Sequence, residues 1–209
     1  MRTLLTATMV IAAIVGCSSD QSPVSPGRVT PVIVAFGDSL TSGPGLQPEQ
    51  TYPALLQQKV TGDAHDYGIV NAGVTGDTSS EALRRFDRAL VPETRILILA
   101  IGINDGLRGV PVSTVERNIS TMIERAQARD IDVLLCGMEA PPLSGFGYTI
   151  AFHRMFTQLA DRYDLPLVPF FLIGIIGNDE LNLDDSLHPN AAGHKVIADT
   201  IWPYLRPML

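Results

Sequence analysis

A hydroxyl, an imidazole and a carboxylate held in a line can transfer acyl groups, and this chain offers such a set in Ser39, His188 and Asp185. Ser39 lies in Gly37-Asp38-Ser39-Leu40, directly after the apolar run Val32-Ile33-Val34-Ala35-Phe36. It is therefore expected at a strand-to-helix turn, where its hydroxyl is presented rather than buried in a sheet. Asp185 and His188 are three residues apart, so one turn of chain can bring carboxylate to imidazole, fix the tautomer and stabilise the imidazolium. The oxyanion of acyl transfer needs donors. Those expected are the backbone N–H groups of Ser39 and Gly73 and the side-chain amide of Asn104. Glycine at 73 would let backbone approach a substrate closely.

Taken singly, each of these residues has a plainer role. Serine after a strand is commonly a helix cap, asparagine after a strand a turn residue, and a histidine before proline a solvated loop residue. Their joint arrangement carries the argument, because the alternating pattern places all of them at the carboxyl ends of strands. Competing chemistries fare worse. Gly-x-Ser-x-Gly is not met, since Thr41 occupies the fifth position. No His/Glu pair has zinc-ligand spacing, and His188 with His194 is too widely spaced for one helical face, so neither a metal nor another cofactor is implied. His65 and His153 read as solvated or packed structural residues. Asp38 and Asp105 are expected to accept hydrogen bonds from backbone around their turns.

Strand-like and helix-like segments alternate from Pro31 onward. Strands are expected at residues 32–36, 69–71, 95–101, 131–136 and 165–170, the last interrupted by Pro166 and Pro169. Helices are expected at 53–60, 80–90, 114–129, 148–163 and from Asn190 to about Trp202, with Pro53 in a first turn, Ser113 and Glu116 as a capping box, and Asn190 as a cap. Alternation of this kind implies a five-stranded parallel sheet in a three-layer α/β/α sandwich, with ligands bound at the carboxyl edge. The apolar segment Pro141-Pro142-Leu143-Ser144-Gly145-Phe146-Gly147-Tyr148 is expected to wall an acyl site.

The four blocks Gly37-Asp38-Ser39-Leu40, Gly73, Gly102 with Asn104, and Asp185 with His188 resemble those of the SGNH (GDSL) hydrolases. The likeness spans about residues 31–205. It is greatest to the bacterial arylesterase, acyl-thioesterase and lysophospholipase branch, through Gly37-Asp38-Ser39-Leu40-Thr41, Asn104-Asp105-Gly106-Leu107-Arg108-Gly109 and His188-Pro189-Asn190. The resemblance implies a flavodoxin-like sandwich and a serine hydrolase cleaving carboxylic esters or thioesters through an acyl-enzyme. Ile103 stands where close relatives often carry glycine, and Pro44 where they often carry tyrosine. A carbohydrate O-deacetylase on the same scaffold is the alternative, disfavoured by the 6% aromatic content. An anchored binding protein without activity is disfavoured by the completeness of the set.

The rest of the chain frames this domain. Its 209 residues suffice for a single core, and a formal charge of −7 without basic clusters excludes a phosphate-reading nucleic-acid partner. Met1-Arg2 followed by the uncharged apolar stretch of residues 4–15 reads as a signal peptide over residues 1–16. Ile14-Val15-Gly16-Cys17 resembles a lipobox, so Cys17 is expected to carry a lipid that anchors the chain to a membrane. The Ser- and Pro-rich segment to residue 30 reads as a flexible tether, leaving residues 31–209 as the hydrolase domain. The expected location is the cell envelope, with Ser18 after the cysteine resembling the outer-membrane pattern of Gram-negative lipoproteins. Cys136, in the apolar run Val133-Leu134-Leu135-Cys136, is expected as a small core thiol.

Overall fold

Long apolar runs covered on both faces give this chain its sheet. The computed structural model describes residues 29–209, so the segment expected to be a signal peptide, Cys17 and most of the expected tether lie outside the described residues. Strands β1 (Val32–Gly37), β2 (Gly68–Gly73), β3 (Thr94–Ala100), β4 (Asp132–Cys136) and β5 (Leu167–Val168) pair in parallel in the order β2-β1-β3-β4-β5. Ile33 to Phe36 and Ile96 to Ile101 are buried throughout, as parallel strands sandwiched between helices should be. Cys136 is buried among them, and burial pushes its thiol pKa up.

Helices α2 (Tyr52–Gly62) and α7 (Ala191–Leu205) pack together on one side of the sheet, whereas α3 (Ser79–Ala89), α5 (Val112–Gln127) and α6 (Phe146–Tyr163) pack on the other. Two short helices, α1 (Ser39–Ser42) and α4 (Ile103–Arg108), sit directly after β1 and β3. Because the chain reverses its direction across the sheet after β2, the carboxyl ends of β1 and β3 lie side by side where the order switches. A crevice forms outside the strands at such a point.

The three-layer sandwich is therefore as the alternation indicated, with four local differences. The fifth strand shrinks to two residues, because Pro166 and Pro169 cannot donate to a ladder. The capping box at Ser113 and Glu116 does not form. Pro111 is the N-cap of α5, and the Glu116 carboxylate instead accepts a hydrogen bond from Arg162 at 2.8 Å. A capping box occurs on α3, where Thr78 and Glu81 satisfy each other's backbone N–H groups. Finally, α4 was not legible as a helix; it starts on Gly102, whose φ of 124° is open to glycine and strained for other residues.

Candidate active site

Ser39 is the first residue of α1, capped by Asp38, whose carboxylate accepts the Leu40 N–H at 3.0 Å. That turn sets the Ser39 hydroxyl at the carboxyl edge of β1. His188 comes from the loop before α7, which is held by Asn190: its side chain caps α7 and donates to the carbonyls of Glu180 and Asn182. His188 Nε2 lies 3.0 Å from Ser39 Oγ, and His188 Nδ1 lies 2.6 Å from an Asp185 carboxylate oxygen. Asp185 also accepts the backbone N–H groups of His188 and Leu187, at 2.9 and 3.0 Å. Those bonds, first the His188 backbone N–H and then its side chain, hold the Asp185 carboxyl well below the usual carboxylate range. An ionised Asp185 places the proton on Nδ1 and leaves Nε2 facing the serine as an acceptor.

Asn104 lies in the first turn of α4 and lines the same cleft as Ser39 and His188. One of its amide N–H bonds goes to the Asp77 carbonyl at 2.9 Å, which leaves the second for a ligand. Its neighbour Asp105 reaches beyond its own turn. The carboxylate reaches across to α3 and accepts both the Ser79 N–H (2.7 Å) and the Ser79 hydroxyl (2.8 Å), tying α4 to α3. Burial raises the Asp105 pKa.

Gly73 is placed differently from its expected role. Its N–H donates to the Asn71 side chain at 3.0 Å, and a Cβ there would collide with the Thr41–Ser42 backbone. The glycine is needed because α1 packs directly on the end of β2, and its amide is spent on holding that junction. The backbone that does bridge the two sides of the site is Thr75-Gly76-Asp77. Thr75 bonds Ser42 of α1 (2.9 Å), the Gly76 carbonyl accepts from Arg108 of α4 (3.1 Å), and the Asp77 carbonyl holds Asn104. Gly76 has φ +85°, and no partner for its N–H occurs among the described residues. The readable signal was a glycine in the turn Val74-Thr75-Gly76-Asp77, where positive φ is needed and a strand-end glycine is not.

Arg85 fastens this assembly from beneath. Its guanidinium donates to the carbonyls of Gly37 (2.8 Å) and Ala72 (2.9 Å), pairs with the Asp77 carboxylate at 2.5 Å, and lies over the Phe36 ring. One side chain thus ties the ends of β1 and β2 to the turn that holds Asn104. The charge pattern of α3 gave no hint that one of its arginines turns inward.

In front of Ser39 opens a cleft of about 590 Å³. Ile103 and Leu107 of α4 form one side with Pro141 and Pro142; Phe170, Leu172, Ile175 and Ile176 form the other. Only the start of the expected wall at residues 141–148 takes part. Leu143 and Phe146 are exposed, and the Tyr148 hydroxyl turns aside to donate to the Val110 carbonyl at 2.7 Å. The opposite wall at residues 170–176 escaped the sequence reading because its apolar residues follow neither a helical nor a strand period. His65 lies apart from this site, beside Asp63 (3.4 Å), whereas His153 pairs at 2.6 Å with Glu139, which lines the cleft. Among the described residues no cluster of His, Cys, Asp and Glu is arranged to hold a metal ion.

A hydroxyl aligned with an imidazole and a carboxylate at the switch point of a parallel sheet defines a serine-hydrolase-type site. Residues 35–196 match the GDSL-like lipase/acylhydrolase family. The chain is 35% identical to the esterase TesA of Pseudomonas aeruginosa over 85% of its own length and 89% of that protein. It is 31% identical to thioesterase 1/protease 1/lysophospholipase L1 of Escherichia coli, over 85% and 84% respectively. Among solved structures, the psychrotrophic esterase EstA from Pseudoalteromonas sp., inhibited by monoethylphosphonate, superposes with a TM-score of 0.79 at 34% identity, covering 85% of this chain and 97% of that one. The chain belongs to the GDSL-like lipase/acylhydrolase family and is a carboxylic ester hydrolase of the SGNH kind.

Proposed function

We propose that Ser39 is the nucleophile, His188 its general base and Asp185 the carboxylate that orients the imidazole. The observation that carries this reading is the unbroken chain from Ser39 Oγ through both His188 nitrogens to Asp185, at 3.0 and 2.6 Å. His188 Nε2 takes the Ser39 proton as Oγ bonds to the acyl carbon, and the imidazolium returns that proton to the leaving alkoxide or thiolate. Water then repeats the sequence on the acyl-enzyme, freeing the acid and restoring Ser39. The oxyanion is received by the Ser39 N–H, the second amide N–H of Asn104 and the Gly76 N–H, the last in place of Gly73.

The apolar cleft favours esters and thioesters of hydrocarbon acyl groups over acetylated sugars, in keeping with relatives named esterase, arylesterase and thioesterase/lysophospholipase. Ser39→Ala should fold normally and lose on the order of 10⁶ in kcat, the scale seen when a serine protease loses its nucleophile. Labelling by a fluorophosphonate should vanish with it. A purified Ser39→Ala protein that still turns over, or still labels, overturns the assignment.

The envelope location belongs to the same proposal. Processing before Cys17 would remove Arg2 with residues 1–16 and take the formal charge from −7 to −8, so attraction to anionic lipid is not what holds this domain. Attachment then comes from acyl groups on Cys17, several being required because one chain binds only marginally. Residues 18–30 would give a flexible reach of roughly 20 Å. Cell fractionation with mass spectrometry of the wild type and Cys17→Ala tests this. A soluble wild-type protein without diacylglyceryl leaves only an ordinary secretory signal.

A further inference from the structure

Two segments frame the mouth of the cleft, and both lack charge. Residues 140–152 and 170–178 contain no Asp, Glu, Lys or Arg, in a chain with 37 such residues. Of the eleven large hydrophobic side chains exposed among the described residues, six lie on these segments and the adjoining loop: Leu143, Phe146, Ile150, Ile173, Ile176 and Leu187. Phe146 is 78% exposed, Leu143 75% and Ile173 57%. Isolated exposed apolar residues are ordinary, but a concentration of them marks a surface that is covered in use. Pro142, Ile176 and Leu187 also line the cleft, so the apolar lining runs outward onto the rim.

We propose that this rim docks on a zwitterionic lipid surface, so that an amphiphilic ester passes from the aggregate into the cleft without crossing water. The charges bordering the rim favour such a surface over an anionic one. Glu139, paired with His153, and Arg154 flank one segment; Asp179, Glu180 and Asp184 follow the other; Arg154 and these three are exposed, on a protein whose formal charge is −7. Both signs at the border suit a headgroup carrying both, and the net charge repels an anionic leaflet. The cleft mouth separates a lipid surface from a protein partner. A protein seated across the rim would close the 590 Å³ cleft, whereas a lipid surface supplies its contents. The proposal rests on the hydrolase reading only for its kinetic readout.

The test uses the chain from Ser18 to Leu209, so that neither the apolar leader nor a lipid on Cys17 contributes. Phe146→Ser and Ile173→Ser are combined; neither residue lines the cleft. Hydrolysis of a long-chain ester dispersed in phosphatidylcholine vesicles should fall about tenfold or more, while kcat/KM for a soluble short-chain p-nitrophenyl ester holds. Unchanged vesicle activity overturns the proposal, as does a parallel loss on both substrates. So does tighter binding to phosphatidylglycerol vesicles than to phosphatidylcholine, or wild-type self-association that the double variant abolishes, since a second copy would then be the occupant. If the short ester is not hydrolysed by the wild type, the hydrolase reading fails by itself. Flotation of the Ser39→Ala protein with phosphatidylcholine vesicles then decides docking: loss in the rim variant supports it, and retention overturns it.

Discussion

Behind Ser39 and in front of it the molecule is built on opposite principles. Behind lies a polar shelf in which nearly every group has a partner: Arg85 spans three acceptors, Asp105 grips the start of α3, and Asn118 donates to Ser79 and Ser80 at 2.9 Å each. In front lies a wall mostly of Ile, Leu, Pro and Phe, with few directional bonds beyond those of Glu139 and Asn182, ending in exposed residues. Hydrogen bonds fix angles as well as distances, so the shelf can hold donors within the tolerance that oxyanion stabilisation demands. Dispersion contacts are tolerant of shape, so the wall can accept acyl groups of several sizes. Rate should therefore be set behind the serine and substrate range in front of it.

Removing a shelf donor is the strongest way to break that division. Asn104→Ala should lower kcat by about 10²–10³, the usual loss for one oxyanion donor, and by the same factor for short and long acyl chains. A series of p-nitrophenyl esters of increasing length checks this. A loss that grew with chain length, or a rise in KM at constant kcat, would place Asn104 among the binding residues and erase the contrast.

Legibility in the sequence follows the same division. The strands could be read because Val32 to Phe36 and Ile96 to Ile101 are continuous apolar runs, and burial on both faces of a parallel sheet leaves that trace. Ser39, Asn104, Asp185 and His188 could be singled out because each follows or faces a strand's carboxyl end, where the topology must gather them. Gly73 attracted attention for the same reason, yet its neighbour Asn71 takes its N–H. Whether a backbone amide is free depends on side chains that spacing cannot foresee. Arg85 was invisible for a related cause: on a helix with Arg84 and Arg88 nothing local tells which arginine turns inward. The second wall of the cleft was missed because residues 170–176 form an irregular loop, and irregular backbone has no period to detect.

The polar side also carries a buried titratable group, and this gives the smallest of the expected effects. His194 on α7 is buried; its Nδ1 accepts the Tyr52 N–H at 3.0 Å, and the Tyr52 hydroxyl in turn meets Thr41 of α1 at 3.0 Å. Burial lowers the His194 pKa from 6.5 to about 4. Between those values the unfolded chain binds a proton that the folded chain refuses, so the contribution of His194 to stability is full above pH 6.5 and is lost as pH falls toward 4. The loss amounts to as much as about 3 kcal/mol at one pKa unit per 1.36 kcal/mol. Asp38 runs in the opposite sense, because burial pushes its carboxyl up to about 7 and stability then declines as pH rises toward that value. Wild-type stability alone would mix the two, whereas the difference between wild type and His194→Gln isolates the histidine. Urea midpoints measured from pH 8 to pH 4 should show the wild type's advantage shrinking across pH 6.5 to 4, with short-chain turnover at pH 8 little changed. A difference that stays flat across this range would mean that His194 is not held neutral by burial, and that its bond to the Tyr52 N–H fixes the Tyr52–Thr41 contact independently of pH.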